Sequence, residues 1–324
     1  ITLAKMAGGT DGNIISYDAS GDPVAIATGT DGQVLTSTGA GSPPAFEDAA
    51  SGGATSLNGL SDCKTFGTGS LLIGDATTGT IDAADKNTGV GIDVFAALTT
   101  GNNNVAIGFS AGTALTTGGS NVLIGQVAGD AITTASNNIA IGQTALGALV
   151  DDNGNIAIGD NAMQFSTDAQ NNVAIGQDAG RRIVGTDNVA IGEGSMITAG
   201  DKDFNTAVGK DSLALLTTGN YNVAIGTNSL DACTTAENNV AVGWTSLGQT
   251  TTGASNTAVG GDSMAANTTG TLNVAVGTAT LDANTEGERN TALGIEALGA
   301  NTTGGYNTAC GERALDANTT ASNN

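Results

Sequence analysis

Asn104-Val105-Ala106-Ile107-Gly108 is a phrase that the chain repeats to its end. Its closing glycine returns at Gly125, Gly142, Gly159, Gly176, Gly192, Gly209, Gly226, Gly243, Gly260, Gly277, Gly294 and Gly311, seventeen residues on at every step except the sixteen between Gly176 and Gly192. A short fixed period marks a solenoid, in which each repeat is one coil that buries its apolar side by stacking on the next. In the regular units the first position is Asn and the second is Val, Ile or Thr. The third is Ala everywhere but at Leu123, and the fourth is Ile, Val, Leu or Cys. Side chains alternate across a strand, so the second and fourth positions share one face and the alanine holds the other.

After the glycine come two variable residues and then a small one, such as Ala111, Ala145, Ser212, Ser229 or Ala297. Leu, Met or Gly follows, as at Leu146, Met163, Leu213, Leu281 and Leu315. This predicts a second short strand facing the first across a thin core, with the Val and Ile columns, Ile225 among them, inside. Thr-Thr-Gly triplets (116–118, 217–219, 251–253, 268–270, 302–304) supply the returning turn, because Gly takes positive φ where a chain reverses. Each coil then reads strand, Gly turn, strand, polar turn. Fifteen coils from Gly74 to Gly311, stacked in parallel at about 4.8 Å, make a rod of roughly 70 Å. The expected fold is an all-β parallel β-roll or β-solenoid with 17-residue coils. The apolar Ala column needs a cover as well, and small residues let backbones approach closely, which suits the inner wall of a homo-oligomer.

Working back from the phrase, Leu71-Leu72-Ile73-Gly74 and Gly89-Val90-Gly91 are already in phase with it, so the roll spans 67–324, opening with two degenerate coils that cap it. Residues 48–66 read as a Gly, Ser and Ala-rich linker. Residues 1–47 form a β module with a twenty-residue repeat: Gly9-Thr10-Asp11-Gly12 recurs as Gly29-Thr30-Asp31-Gly32, and Gly21-Asp22-Pro23 as Gly41-Ser42-Pro43. Asp-Gly ahead of an apolar pair is a turn feeding a strand, and Gly-x-Pro closes the next turn. The start on Ile1 and the stop at Asn324, seventeen beyond Asn307, imply a piece of a longer polypeptide.

Composition narrows the function. With Gly at 50 of 324 residues and aromatics at 3%, large side chains cannot fill a wide core. A net charge of −22 argues against nucleic acid and anionic membrane surfaces as partners. The absence of histidine excludes imidazole acid/base chemistry and His metal ligation. Cys63, Cys233 and Cys310 have no CxxC spacing and are odd in number, so neither a disulfide framework nor a zinc site is expected. Cys310, in a column otherwise held by Ile, Val or Leu, reads as a small buried hydrophobe. No apolar run is long enough to insert in a bilayer.

Asn-Val-Ala-Ile-Gly-x-x-Ala resembles the head repeat of trimeric autotransporter (YadA-like) adhesins, and the resemblance covers roughly residues 67–324. It implies a left-handed parallel β-roll in a homotrimer. The period here is longer than that family's usual unit. The opening region, with Gly29-Thr30-Asp31-Gly32-Gln33-Val34-Leu35-Thr36-Ser37 and Gly41-Ser42-Pro43-Pro44-Ala45-Phe46, resembles bacteriophage tail-fibre proteins, as does Ser56-Leu57-Asn58-Gly59-Leu60-Ser61-Asp62. Together these imply a virion component: a non-catalytic tail-fibre shaft, partnered by its own copies and by other tail or baseplate proteins, that presents a region outside this stretch to a host surface glycan or protein. The alternatives are a bacterial surface adhesin head and a polysaccharide-degrading tailspike.

No catalytic, cofactor-binding or metal-binding residue is assigned. The Asn column reads as a structural ladder bonding coil to coil. An ice-binding role for the threonines is disfavoured because neighbouring threonines point to opposite sides. Asp11, Asp31, Asp151, Asp152 and Asp201 lack the spacing of calcium-binding rolls and read as solvated charge. Trp244 is a lone aromatic where a sugar-cleaving groove would want several, and Arg181-Arg182, in the one shortened unit, reads as a turn marker.

Overall fold

The computed structural model describes residues 14–30, 33–37, 42–48, 63–74, 83–198 and 200–324. The chain divides into two compact units, Ile1–Lys64 and Thr65–Asn324.

In the first unit, Ile14–Tyr17 pairs antiparallel with Pro23–Ile26, and Gln33–Thr36 with Ala45–Asp48. The first hairpin turns as Gly21-Asp22-Pro23 predicts: Asp18 Oδ1 accepts from the amides of Ser20 and Asp22, both at 2.9 Å, and Gly21 takes φ 77°. The Asp-Gly turns at Asp11-Gly12 and Asp31-Gly32 lie outside the described residues.

The second unit is a parallel β-solenoid. One short strand per coil, from Ser70–Ile73 to Thr308–Cys310, stacks in strict register, so that Ala140 pairs Ala157 and Ala224 pairs Ala241. Fourteen turns separate the fifteen strands, and Cys63–Phe66 edges the same sheet. The degenerate first coils hold this register, with Leu72 opposite Gly89. A separate three-stranded sheet, Ala169–Gln170, Ile183–Thr186 and Gly200–Asp201, runs through the coils around the sixteen-residue unit.

Two expectations about the coil are corrected. The alternation along the strand is as predicted, but its phase is reversed. The Ala column is wholly buried inside the coil, whereas the second and fourth positions face outward, with Ile225 41% exposed. The physical reason is the width of the coil. Leucine or methionine from the ninth position (Leu213, Leu230, Leu247, Met264) and Leu98, Leu115, Ile132 or Leu149 from the twelfth already fill the interior, which leaves room for only one methyl group on the facing strand. Where the third position departs from alanine, the opposite wall compensates. A Cβ built on Gly112 or on Gly129 would lie 2.7 Å from a methyl of Leu123. Gly89, in the Ala column, makes room for Phe95 and Leu72.

The second correction concerns the expected second strand, which is a run of turns. The small residue and the leucine after it, Ser229 and Leu230 for example, are both buried. Adjacent strand residues cannot share a face, so the backbone breaks alternation: Asn228 and Leu230 take φ 55° and 50°, and the same left-handed conformation recurs coil after coil. For a non-glycine residue this costs about 1–2 kcal/mol. Burial of the leucine, about 1.5–3 kcal/mol, offsets it. The turns are also tied to their neighbours: the Asn228 amide donates to Lys210 O at 3.0 Å on one side, and the Leu230 amide to Ser246 O at 3.1 Å on the other.

Buried polar ladders hold the corners. In the Asn column, Asn222 donates through its amide and its Nδ2 to Asn205 Oδ1 at 2.9 and 3.2 Å, and its Nδ2 also reaches Ala236 O at 2.9 Å. From Asn104 to Asn307 every asparagine amide donates to the Oδ1 of the asparagine one coil back, and all but Asn138 and Asn307 add the Nδ2 bond to it, so each coil satisfies polar groups of the next. Towards the C-terminal coils the twelfth position changes from leucine to Asn267, Asn284 and Asn301, which form a second ladder. Threonine hydroxyls form a third, as in Thr268 Oγ1 to Thr285 O at 3.0 Å.

Candidate interaction surface

The reversed phase creates the principal surface of the solenoid. Because alanine points in, the Val, Ile and Thr side chains of the second position and the Ile, Val and Leu of the fourth stand as two parallel ladders on the outer face of the sheet. Ile107, Val276 and Leu293 are each about 40% exposed, and their second-position neighbours are half-buried. No residue from Thr88 to Cys310 in either ladder carries a formal charge, although the chain as a whole carries −22. Two ladders some 7 Å apart over fourteen rungs of 4.8 Å give a flat footprint of roughly 500 Å², which reaches the largest apolar patches that ordinary monomers expose. Cys310 ends the fourth-position ladder and is exposed, which corrects its reading as a buried hydrophobe. Cys63 and Cys233 are buried, and burial pushes the Cys233 thiol up to about 12.

The other residues singled out by sequence fall as follows. The Asn column is consumed by the ladder. Thr252 is exposed, while its neighbour Thr251 bonds Thr268 O at 3.3 Å. The Asp152 carboxylate accepts from the Ala169 amide at 3.0 Å and from Gln170 Nε2 at 3.1 Å, so it caps a turn. Asp151 and Asp201 are exposed and stand apart, and Asp11 and Asp31 lie outside the described residues. Among the described residues no three His, Cys, Asp or Glu side chains converge as a metal site would require. Trp244 is 59% exposed. Arg181 and Arg182 both lie over the ring of Phe165, their guanidinium carbons 5.0 and 5.2 Å from its centroid.

Two features escaped the sequence reading. Lys202 is fully buried in a corner where most coils have Gly or Ala, its Nζ donating to Thr198 O at 2.6 Å and Leu216 O at 2.9 Å. With no carboxylate at hand, burial lowers it from the usual 10.5 to about 8. The other is a recurring acid at the tenth position. Asp130, Asp231 and Asp282 each stand beside a glycine of the next coil (Gly147, Gly248, Gly299) and line shallow clefts of about 170, 390 and 290 Å³. Partial burial raises all three carboxyls, against backbone hydrogen bonds that lower them. An Asp followed seventeen residues later by Gly was the signal that could have found them.

No protein-family model, curated protein or solved structure matches this chain.

Proposed function

We propose that the chain is the non-catalytic shaft of a bacteriophage tail fibre, assembled as a homotrimer through the outward Val/Ile ladders. The carrying observation is that uncharged strip. An apolar face of this length gains by being covered, at about 25 cal/mol per Å² removed from water. Only a body with the same rung spacing meshes along all of it, and another copy of the chain has that spacing by construction. Threefold rather than twofold assembly, the left-handed sense of the roll and the virion location rest on the resemblance of the repeat and of the opening segments to known families. Other tail or baseplate proteins would hold one end, and a receptor-binding region would be carried at the other. In this reading stiffness is the activity: the Asn ladder bonds coil to coil, threonine hydroxyls add to it where the turn carries Thr, a second Asn ladder joins in the C-terminal coils, and stability accumulates by nearest-neighbour stacking.

The test is the mass of the native particle by multi-angle light scattering, together with gold-labelled antibody against the chain on phage preparations. Three times 31.4 kDa and labelled tails are expected. A particle of single-chain mass overturns the trimer, and labelled bacterial surfaces without labelled phage overturn the fibre.

A further inference from the structure

The arginines of this acidic chain are four, and three of them face carboxylates. Arg289 meets Glu288 at 3.3 Å, Arg313 meets Glu296 at 3.2 Å and Asp316 at 3.1 Å, and Arg181 approaches Asp178 at 3.5 Å. Arg182 is exposed and has no hydrogen bond or ion pair among the described residues; its contact is with the Phe165 ring. Arg181 and Arg182 stand seventeen residues beyond Gln164 and Phe165, so coil stacking sets two consecutive guanidinium groups over one ring. Arg181 is anchored there through Nε, which donates to Gln164 Oε1 at 3.2 Å. Phe165 and Gln164 also line the first of the three acidic clefts, with Val127, Asp130, Thr144 and Gly147. Of the three clefts described, this is the one with an aromatic wall.

We infer that Phe165, Arg182 and the adjoining cleft form a subsite for one carboxylated sugar ring, of the uronic or sialic type, within an acidic polysaccharide. The cleft, about 170 Å³, is smaller than the 300–1,000 Å³ of ordinary small-molecule pockets, which suits a single ring held in passing on a longer chain. Phe165, 43% exposed, offers the part of its ring that lines the cleft and is left uncovered by the guanidinium groups to the C–H side of the sugar. The Gln164 amide keeps its NH₂ free to donate, and Asp130 accepts from hydroxyls. The guanidinium of Arg182 takes the carboxylate, a pairing that is bidentate and charge-assisted. Asp130 adds direction, because a carboxylate at that end repels the anionic end of the ring and turns it toward Arg182. Arg stacked on an aromatic ring is pre-organised for such a contact. The subsite involves tenth- and eleventh-position residues, so it does not depend on the ladders or on the oligomeric state.

The test uses the full 324-residue chain and isothermal titration with hexasaccharides of galacturonate, glucuronate and N-acetylneuraminate, beside the methyl esters of each and a sulfated maltohexaose without carboxyl groups. Saturable binding of at least one carboxylated probe is expected, weakened at least tenfold by esterification and roughly tenfold by Arg182→Gln, as loss of a hydrogen bond to a charged group implies. Phe165→Ala should weaken it comparably, whereas Arg313→Gln should bind like the parent. Circular dichroism melts of the variants verify that these exposed substitutions leave the fold intact. Failure of every carboxylated probe, equal binding of acid and ester, undiminished binding by Arg182→Gln, or binding confined to the sulfated probe each overturns the assignment.

Discussion

Leu123→Ala is the substitution that tests most directly how the coil interior is filled. Leu123 is fully buried in a column of alanines, its methyl groups occupying the space above Gly112 and Gly129 that Leu and Met occupy elsewhere. Truncation therefore leaves a void that neither glycine can fill, and buried Leu→Ala changes of this kind cost about 3–5 kcal/mol. The triple variant Leu123→Ala, Gly112→Leu, Gly129→Leu recreates the arrangement of coils such as that of Ala241 and Leu247. Both glycine sites already hold φ near 56°, as Leu247 does at 54°, so the added left-handed cost is about 1–2 kcal/mol per site against about 1.5–3 kcal/mol of burial for each leucine. The triple should thus recover part of the loss. The double Gly112→Leu, Gly129→Leu with Leu123 retained should be the worst of all, since overpacking costs about 1–3 kcal/mol per site. Thermal unfolding followed by circular dichroism on all four proteins completes the cycle. A neutral Leu123→Ala, or costs that simply add with no rescue in the triple, would refute the compensation.

The inward alanine and outward valine are separated by Ala241→Asp, which places a carboxylate in a dry core and should cost several kcal/mol, and Val240→Asp, which should spare the coil itself but convert the particle to single chains in light scattering, lowering the melt only by what the covered face contributed; a disrupted coil in Val240→Asp beside an intact one in Ala241→Asp would return the alternation to its other phase. Lys202→Met should stabilise the chain at pH 7: a base lowered from 10.5 to about 8 on folding binds fewer protons folded than unfolded, so the parent gains stability as pH rises from about 8 to 10.5, by roughly 3 kcal/mol, and the variant's advantage should fade over that window in parallel urea titrations. Asn239→Ala strips the Asn256 amide of an acceptor at 2.9 Å and Gly253 O of a donor at 3.0 Å, a loss of about 2–4 kcal/mol that hydrogen exchange at Asn256 would report. Thr252→Ser, at an exposed site, should stay within about 0.5 kcal/mol.

The repeat was legible because stacking demands it: each coil must hand the same groups to the next, so Asn205, Asn222 and Asn239 recur in step and announce the ladder before any coordinates do. Register and coil length follow from the same reasoning, and the turn at Gly21 from the chemistry of Gly-Asp-Pro. The expected second strand failed for a reason that residue types conceal. Leu230 and Met264 are poor candidates for positive φ, and only the need to bury two adjacent residues in a narrow coil holds them there. Lys202 was hidden because its burial depends on the vacancy of one corner, a property of two coils together rather than of any local motif. The Phe165 and Arg182 contact was hidden likewise, since residues seventeen apart in sequence meet only once the coils are stacked.

The phase of the alternation carries the functional consequence. Val-Ala-Ile alone permits either face to be inside, and the larger side chains invite the inward assignment. The deciding information lies elsewhere in the unit, in the leucines of the ninth and twelfth positions, which together with alanine fill the coil, and in Leu123, whose size is answered by Gly112 and Gly129. Once those residues fill the interior, valine and isoleucine have nowhere to go but out. The β-branched ladders then serve the rod rather than the coil: they stiffen the sheet through cross-strand contacts and leave its outer face uncharged. A solenoid that needed only to be soluble would set Lys or Glu along those columns. Keeping them uncharged and mostly aliphatic over fourteen turns, in a chain with thirty-one acidic residues available for the purpose, is the strongest physical argument that the face is built to be covered.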